Sequence, residues 1–294
     1  MKKRTRQKLA DSVSSAAIWA IMTEAAVTPK PGLIDRANSG SHRDMDFFTL
    51  INSASGLLPW FRDCSLAGYD SGSEESPVHD PGTLFEALRQ KGKEAEELMK
   101  KASGGANTHR GYIFCMGILS AAYGRLYRSM EKPTLQEIIE FSKAMTKNLE
   151  EDFSHINKKE GASHGETVFA KNGIKGVRGE VSLGFPSITK CALPLLNRLL
   201  KEGCSTNDTG IAVLLNLIAR VEDTNMIHRG GIKAFSGIQK NLRLFLAGEP
   251  DIKAIIKKAA DLDREFIFKN LSPGGSADLL GTTFFLYKIL GENC

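Results

Sequence analysis

Residues 28–46 read TPKPGLIDRANSGSHRDMD, and this stretch separates two apolar segments whose residues recur at helical spacing. Before it, Val13, Ala16, Ala17, Ala20, Ile21 and Glu24–Ala25 fall at helical spacing, which predicts a helix over 8–28. After it, Phe48, Ile51, Leu58 and Phe61 predict a second helix over 47–67, kinked at Pro59. Pro29, Pro31 and Gly32 stop the first helix, because a proline ring fixes φ and removes a donor. The joining stretch also concentrates charge: Asp35, Asp44 and Asp46, the cations Lys30, Arg36 and Arg43, and His42. A turn between helices needs few of these groups, so the stretch reads as a binding wall as well as a loop.

The same join of a polar, glycine-containing patch to an apolar helix recurs three times. SGGANTHRG (103–111) opens into 112–127, EDTNMIHRGG (222–231) into 232–246, and LSPGGSADLL (271–280) into a last helix ending near Leu290. Further helices are expected over 85–101, 134–149 with Thr134 as N-cap, 186–201, 208–221 and 250–269. Residues 151–185 are the least regular, and 177–185 is the one stretch whose composition admits an extended chain. The expectation is an all-α fold, a single compact domain over 1–294 with about ten or eleven helices. The turn-rich excursion GYDSGSEESPVHDPG (68–82) reads as a mobile loop.

Composition narrows the function classes. A net charge of +5, from 39 basic and 34 acidic residues, is too small and dispersed for duplex nucleic acid, and suits a small polyanion. The five cysteines form no CxxC pair, which argues for reduced thiols in a cytoplasmic setting. Lys8 and Asp11 follow the basic start before any apolar run, unlike a secretory signal. The longest uncharged apolar run, 111–124, is too short to span a bilayer, so no membrane partner is expected.

Each patch carries groups suited to polyphosphate. Helix starts present unpaired N–H groups and partial positive charge, and Ser272, Gly274, Gly275 and Ser276 precede the last helix. Asp35, Asp44, Asp46, Asp223 and Asp278 are candidates for Mg²⁺, which takes one or two carboxylates plus substrate phosphates. An HR step recurs at His109-Arg110 and His228-Arg229, each with an asparagine close by, Asn107 and Asn225. His79 and His155 read as structural, and the His79-Asp80 pair lacks the partner histidines of a metal phosphohydrolase. The chain has no GxxxxGK[ST], HExxH, GxSxG or DDxxD, and HGE at 164–166 has no PCxxC to complete a zinc deaminase site.

Taken in order, TPKPGLIDRANSGSHRDMD, GGANTHRG, VRGEVSLGFPS, DTNMIHRGG and SPGGSADLL span residues 28 to 280 and resemble the triphosphoribosyl-dephospho-CoA synthase family. The resemblance implies an all-helical enzyme that joins the triphosphoribosyl group of ATP to the 2′-hydroxyl of 3′-dephospho-CoA and releases adenine. The product is the precursor of the prosthetic group of citrate lyase or malonate decarboxylase, passed on to a holo-acyl-carrier-protein synthase. Attack at the anomeric carbon passes through an oxocarbenium-like state, as in glycoside hydrolysis. An α-linked product from a β-nucleoside implies one inverting displacement.

On that resemblance, Asp35, Asp44, Asp46, Asp223 and Asp278 are expected to bind Mg²⁺ or orient the ribose. Lys30, Arg36, His42, Asn107, Arg110, Arg178, Asn225, His228 and Arg229 hold substrate, and Ser272, Gly274, Gly275 and Ser276 supply donors. Glu166 or Glu180 is the expected base, and His109 or His164 the expected acid. Two other readings stay open on the residues alone. One is a helical Mg²⁺-dependent ADP-ribosyl or nucleotide hydrolase, the other a non-catalytic nucleotide- or CoA-binding regulator.

Overall fold

The computed structural model describes residues 2–73, 76, 78–130, 132–149 and 164–291, apart from the side chains of 2–4 and 164, and every regular element among them is helical. In chain order the α-helices are α1 Lys2–Ala26, α2 Phe47–Gly56, α3 Leu58–Ser71, α4 Pro81–Ala102, α5 Arg110–Tyr127, α6 Leu135–Met145 and α7 His164–Asn172. They continue with α8 Gly176–Ser182, α9 Leu193–Lys201, α10 Thr206–Ile218, α11 Thr224–Ala247, α12 Ile252–Phe268 and α13 Gly274–Leu290, and Ile188–Ala192 forms a π-helical turn.

Several boundaries differ from the sequence expectation, each for a local reason. The helix expected over 47–67 is two helices that meet at Leu57, with Pro59 in the first turn of α3, where its missing N–H costs nothing. Of the excursion at 68–82, residues 68–71 complete α3, while Asp80 caps α4 by accepting from Thr83 N at 2.9 Å. Residues 176–182 are helical, not extended, and Gly184 (φ 80°) and Phe185 (φ 56°) then turn the chain. Pro194 cannot donate to the turn before it, and the π-helical turn lies directly N-terminal to α9. The helix expected from Ile232 begins at Thr224 and is broken at Gly231 (φ 79°, ψ 161°). His155 lies outside the described residues.

One hydrophobic core runs from Leu9 to Leu286. Helices α10 and α13 are buried on nearly all sides: Ile211, Val213, Leu214 and Leu217 are fully enclosed, as are Leu279, Leu280, Phe284 and Phe285. Each such side chain contributes roughly 1.5–3 kcal/mol on burial. Helix α1 packs on α3 and α13, and α3 packs closely on α5. The last contact is tight because glycines face backbone in both directions. A Cβ on Gly68 would strike the Ala121 carbonyl, and one on Gly124 would strike the Ser65 carbonyl. Among the described residues no helix is long and apolar enough to cross a membrane.

Candidate active site

The starts of α5, α11 and α13 converge with the 28–46 loop around a cleft of about 1230 Å³. Asp223 makes the convergence possible. Its Oδ1 accepts from Asn225 N (3.1 Å) and Met226 N (3.2 Å), capping α11, and its Oδ2 accepts from Ser276 N (2.8 Å) and Ser276 Oγ (3.0 Å) at the start of α13. Side chains between these ends would separate them: a Cβ on Gly274 would lie 2.5 Å from Asn225 Nδ2, and one on Gly275 would lie 3.3 Å from Asp223 Oδ2. Thr224, Asn225, Gly274 and Gly275 therefore line one wall as two adjacent helix starts.

The 28–46 loop is pinned from within and from α12. Asp35 Oδ2 accepts from Lys30 N (3.0 Å), and its Oδ1 accepts from Ala37 N (2.7 Å) and Asn38 N (3.1 Å). Asp263 on α12 accepts from Gly32 N (2.9 Å) and Asn38 Nδ2 (3.1 Å), and Ser41 Oγ donates to the Leu271 carbonyl (2.6 Å). Gly32 is required here, with φ 65° and a carbonyl of Leu271 where a Cβ would stand.

This framework holds a charged centre. Lys30 Nζ pairs with Glu24 Oε1 at 2.5 Å, with side-chain exposures of 1% and 5%. Tyr112 OH donates to the Ala277 carbonyl (3.0 Å), and its hydroxyl pKa is pushed well up by burial and by Glu24 and Asp278. Asp278 packs against Gly111 so closely that a Cβ there would collide with the carboxylate. No donor among the described residues reaches the Asp278 carboxylate, and burial, then the charges of Glu24 and Asp223, push its pKa well above the carboxylate range. His109 is buried; its Nδ1 meets Ser53 Oγ at 2.9 Å, and Ser53 Oγ meets Thr108 Oγ1 at 2.5 Å. Burial and then Lys30 lower the His109 pKa to about 3, so the ring is neutral, and its Nε2 has no partner among the described residues.

Ion pairs border this centre: Arg178 with Glu166 at 3.3 Å, and Arg110 with Glu96 at 3.1 Å. Arg229 donates to the Ser41 carbonyl (2.9 Å) and to Asn270 Oδ1 (3.0 Å), which ties α11 to the loop. His42 Nε2 meets Ser272 Oγ at 3.0 Å; burial and then Arg229 lower its pKa to about 4.

Of the residues singled out from sequence, Lys30, His42, Asp44, Asn107, His109, Arg110, Glu166 and Arg178 line the cleft, with Asn225, Arg229, Ser272, Gly274, Gly275 and Asp278. The others lie elsewhere. Asp35 and Asp223 spend their oxygens on backbone donors, and Asp46 caps α2 by accepting from Thr49 N at 2.8 Å. Arg36 reaches Asn207 Oδ1 (3.1 Å) on the outer side of the loop, and Ser276 is occupied with Asp223. Glu180 accepts from Ser187 N (3.1 Å) and Ser187 Oγ (2.6 Å), steadying the entry to the π-helical turn. His228 is exposed at the start of α11 and is not part of the cleft wall, and the His164 side chain lies outside the described residues. Sequence reasoning missed Glu24, Lys93, Glu96, Tyr112 and Thr224. Glu24 had a signal: it falls at helical spacing from Ala17, Ala20 and Ile21, and an acid on a buried stripe needs a partner.

An all-helical chain that gathers helix starts, arginines and acid groups around one cleft has the build of an enzyme for a polyphosphate substrate. The chain belongs to the ATP:dephospho-CoA triphosphoribosyl transferase family, whose sequence profile matches residues 10–293. It is 38% identical over 294 residues to a probable 2-(5''-triphosphoribosyl)-3'-dephosphocoenzyme-A synthase of Streptococcus pyogenes serotype M3, across 95% of this chain and 98% of the relative. A protein of the same name from Streptococcus equi subsp. zooepidemicus is 37% identical over 302 residues, across 98% of this chain and 99% of the relative. No solved structure matches the chain.

Proposed function

We propose that this cleft is where the chain, as a transferase of its family, moves the triphosphoribosyl group of ATP to the 2′-hydroxyl of 3′-dephospho-CoA. The bond from the ribose anomeric carbon to adenine breaks, and its electron pair leaves with the base. The acceptor oxygen bonds to that carbon from the opposite face; its proton goes to a carboxylate, and one proton returns through solvent to the departing base, which leaves as neutral adenine. The observation that carries the reading is the placement of Asp278, Glu24, Lys30 and His109 in one cleft beside the paired helix starts at Thr224 and Gly274.

Arg229 and the start of α13 at Gly274 hold the triphosphate, giving it positive charge without a nucleophile that cleaves it, while Asp223 keeps the Asn225, Met226 and Ser276 N–H groups. Glu166, oriented by Arg178, takes the acceptor proton; Glu180 is committed to Ser187 away from the cleft. His109 acts as a neutral donor rather than a charged acid. With Ser53 donating to Nδ1, Nε2 carries the hydrogen and presents it to a ring nitrogen of the departing adenine.

The residues present fit Mg²⁺ as an ion arriving with ATP. Burial and the charges of Glu24 and Asp223 favour the protonated form of Asp278, and a cation beside it would favour the ionised one; with Asp44, which lines the same cleft, it makes the one- or two-carboxylate set this ion takes with phosphate oxygens. Bound there, Mg²⁺ would neutralise triphosphate charge. Among the described residues no three ligand-type side chains cluster, consistent with an ion held largely by substrate. The product serves as precursor of the citrate lyase or malonate decarboxylase prosthetic group and passes to a holo-acyl-carrier-protein synthase. A cytoplasmic setting, where its substrates are made, accords with the free thiols of Cys64, Cys115, Cys191 and Cys204.

Chromatography of adenine released from ATP tests this reading. Release is expected only when dephospho-CoA is present; equal release without the acceptor would make the protein a hydrolase.

A further inference from the structure

The cleft continues beyond the charged centre as an apolar limb. Phe85, Leu88, Arg89, Gly92, Lys93 and Glu96 all line it from α4. Their spacing of three and four places them on one face of the helix. From Glu96 back to Phe85 this strip covers eleven residue steps, or about 16 Å at ~1.5 Å per residue. Its polarity changes along the way. At one end Glu96 pairs with Arg110, at the mouth of the catalytic centre. At the other, Phe85 packs edge-on against Phe114 of α5, ring centroids 6.5 Å apart.

Trp60 of α3 forms the third side, and its ring is fixed by Nε1 donating to the Ile113 carbonyl at 3.1 Å. Two glycines keep the helices flanking this ring bare. A Cβ on Gly117 would lie 3.0 Å from Trp60 Cζ2, and one on Gly92 would lie 3.6 Å from Cη2. The limb is therefore narrow with a rigid aromatic wall: Lys93 lies towards the reaction centre, and Leu88, Phe85 and Ile118 lie beyond it, where the Arg89 guanidinium stands 5.1 Å over the Phe85 ring.

We infer that this limb holds the pantetheine arm of the acceptor, with Lys93 facing its diphosphate. The inference rests on the reaction proposed above. Once the acceptor's 2′-hydroxyl is at the charged centre, its diphosphate and then its arm must leave that centre in one direction. Pantetheine has about as many backbone bonds as four residues of extended chain, or roughly 14 Å, comparable with the eight residue steps, about 12 Å, from Lys93 to Phe85. The order of its parts, an anionic diphosphate and then an uncharged arm, matches Lys93 followed by Leu88 and Phe85 along the helix. ATP has no such tail, so the limb selects the acceptor and leaves the donor to the helix starts.

Gly92→Leu fills the slot while improving helix propensity, so the fold is retained. The expected result is a KM for dephospho-CoA raised about tenfold or more, with the KM for ATP within about twofold of wild type. 4′-Phosphopantetheine is expected to compete with dephospho-CoA, and not with ATP, in the wild-type enzyme and to lose that competition in Gly92→Leu. A binding measurement independent of turnover uses Trp19→Phe, which leaves Trp60 as the sole indole of a chain with two tryptophans. Its emission is expected to change on adding 4′-phosphopantetheine. An equal or larger rise in the KM for ATP, absence of competition, or a Trp60 signal blind to 4′-phosphopantetheine would overturn the assignment. An enzyme that releases no adenine but whose Trp60 responds would instead refute the proposed reaction and keep the limb.

Discussion

The Asp223 carboxylate accepts two hydrogen bonds from Ser276, at 2.8 and 3.0 Å, while capping its own helix, so one buried acid joins the starts of α11 and α13. That joint sets the spacing of the two helix starts that line the cleft. Asp223→Ala would orphan four donors, and a loss of about 3 kcal/mol or more is expected, read as a lower urea midpoint. Adenine release is expected to fall with it. A variant as stable as wild type would show that the joint carries no weight.

The buried pair of Glu24 and Lys30 gives a second prediction. Glu24→Gln leaves Lys30, whose side chain is 1% exposed, without its counter-charge, and is expected to cost about 3–5 kcal/mol. The double variant Glu24→Gln/Lys30→Met removes both charges and is expected to recover most of that stability but not the activity. Thermal melts and initial rates on the four proteins of the cycle separate the two effects.

Gly111→Ala places a methyl group against the Asp278 carboxylate. Helix propensity alone favours alanine at this position in α5, so any loss reports the collision. The expected outcome is a fall in kcat of about 100-fold from displaced geometry, with a stability cost of about 1–3 kcal/mol. Unchanged kcat would remove Asp278 from the reacting centre.

The two buried imidazoles set an acid limit on stability. Burial and neighbouring cations hold His109 at about 3 and His42 at about 4, against 6.5 for a free ring. The unfolded chain takes up protons below about 6.5 that the folded chain refuses until far lower pH. Their stabilising contribution is thus complete above 6.5 and is lost as pH falls towards 4 and then 3. Asp223 and Asp278 act oppositely: their raised pKa values give a contribution present below the unfolded value of 3.8 and lost as pH rises. In His42→Asn and His109→Asn the drop in urea midpoint between pH 6.5 and 4 is expected to shrink relative to wild type.

The architecture was largely legible because apolar residues recur at helical spacing in nearly every segment and few β-branched runs interrupt them. Where the reading erred, a single backbone feature decided the outcome: Leu57 as a joint between two helices, Gly231 as a break inside one, and Pro194 beside a π-helical turn. The patches were found by composition, and they do meet in space. Composition could not say which way a carboxylate points. Asp35, Asp46 and Asp223 look from sequence like Asp278, yet they bind backbone donors, while Asp278 meets none among the described residues. Glu24 and Tyr112 were hidden in helices that read as core, where only the partner across the cleft reveals their place.

The central claim is that the triphosphate crosses intact while the glycosidic bond breaks. It is tested most directly by mass spectrometry of the products from ATP, Mg²⁺ and dephospho-CoA. The account predicts free adenine and an acceptor heavier by a ribose bearing all three ATP phosphates. Free phosphate or pyrophosphate with an unaltered acceptor would contradict it.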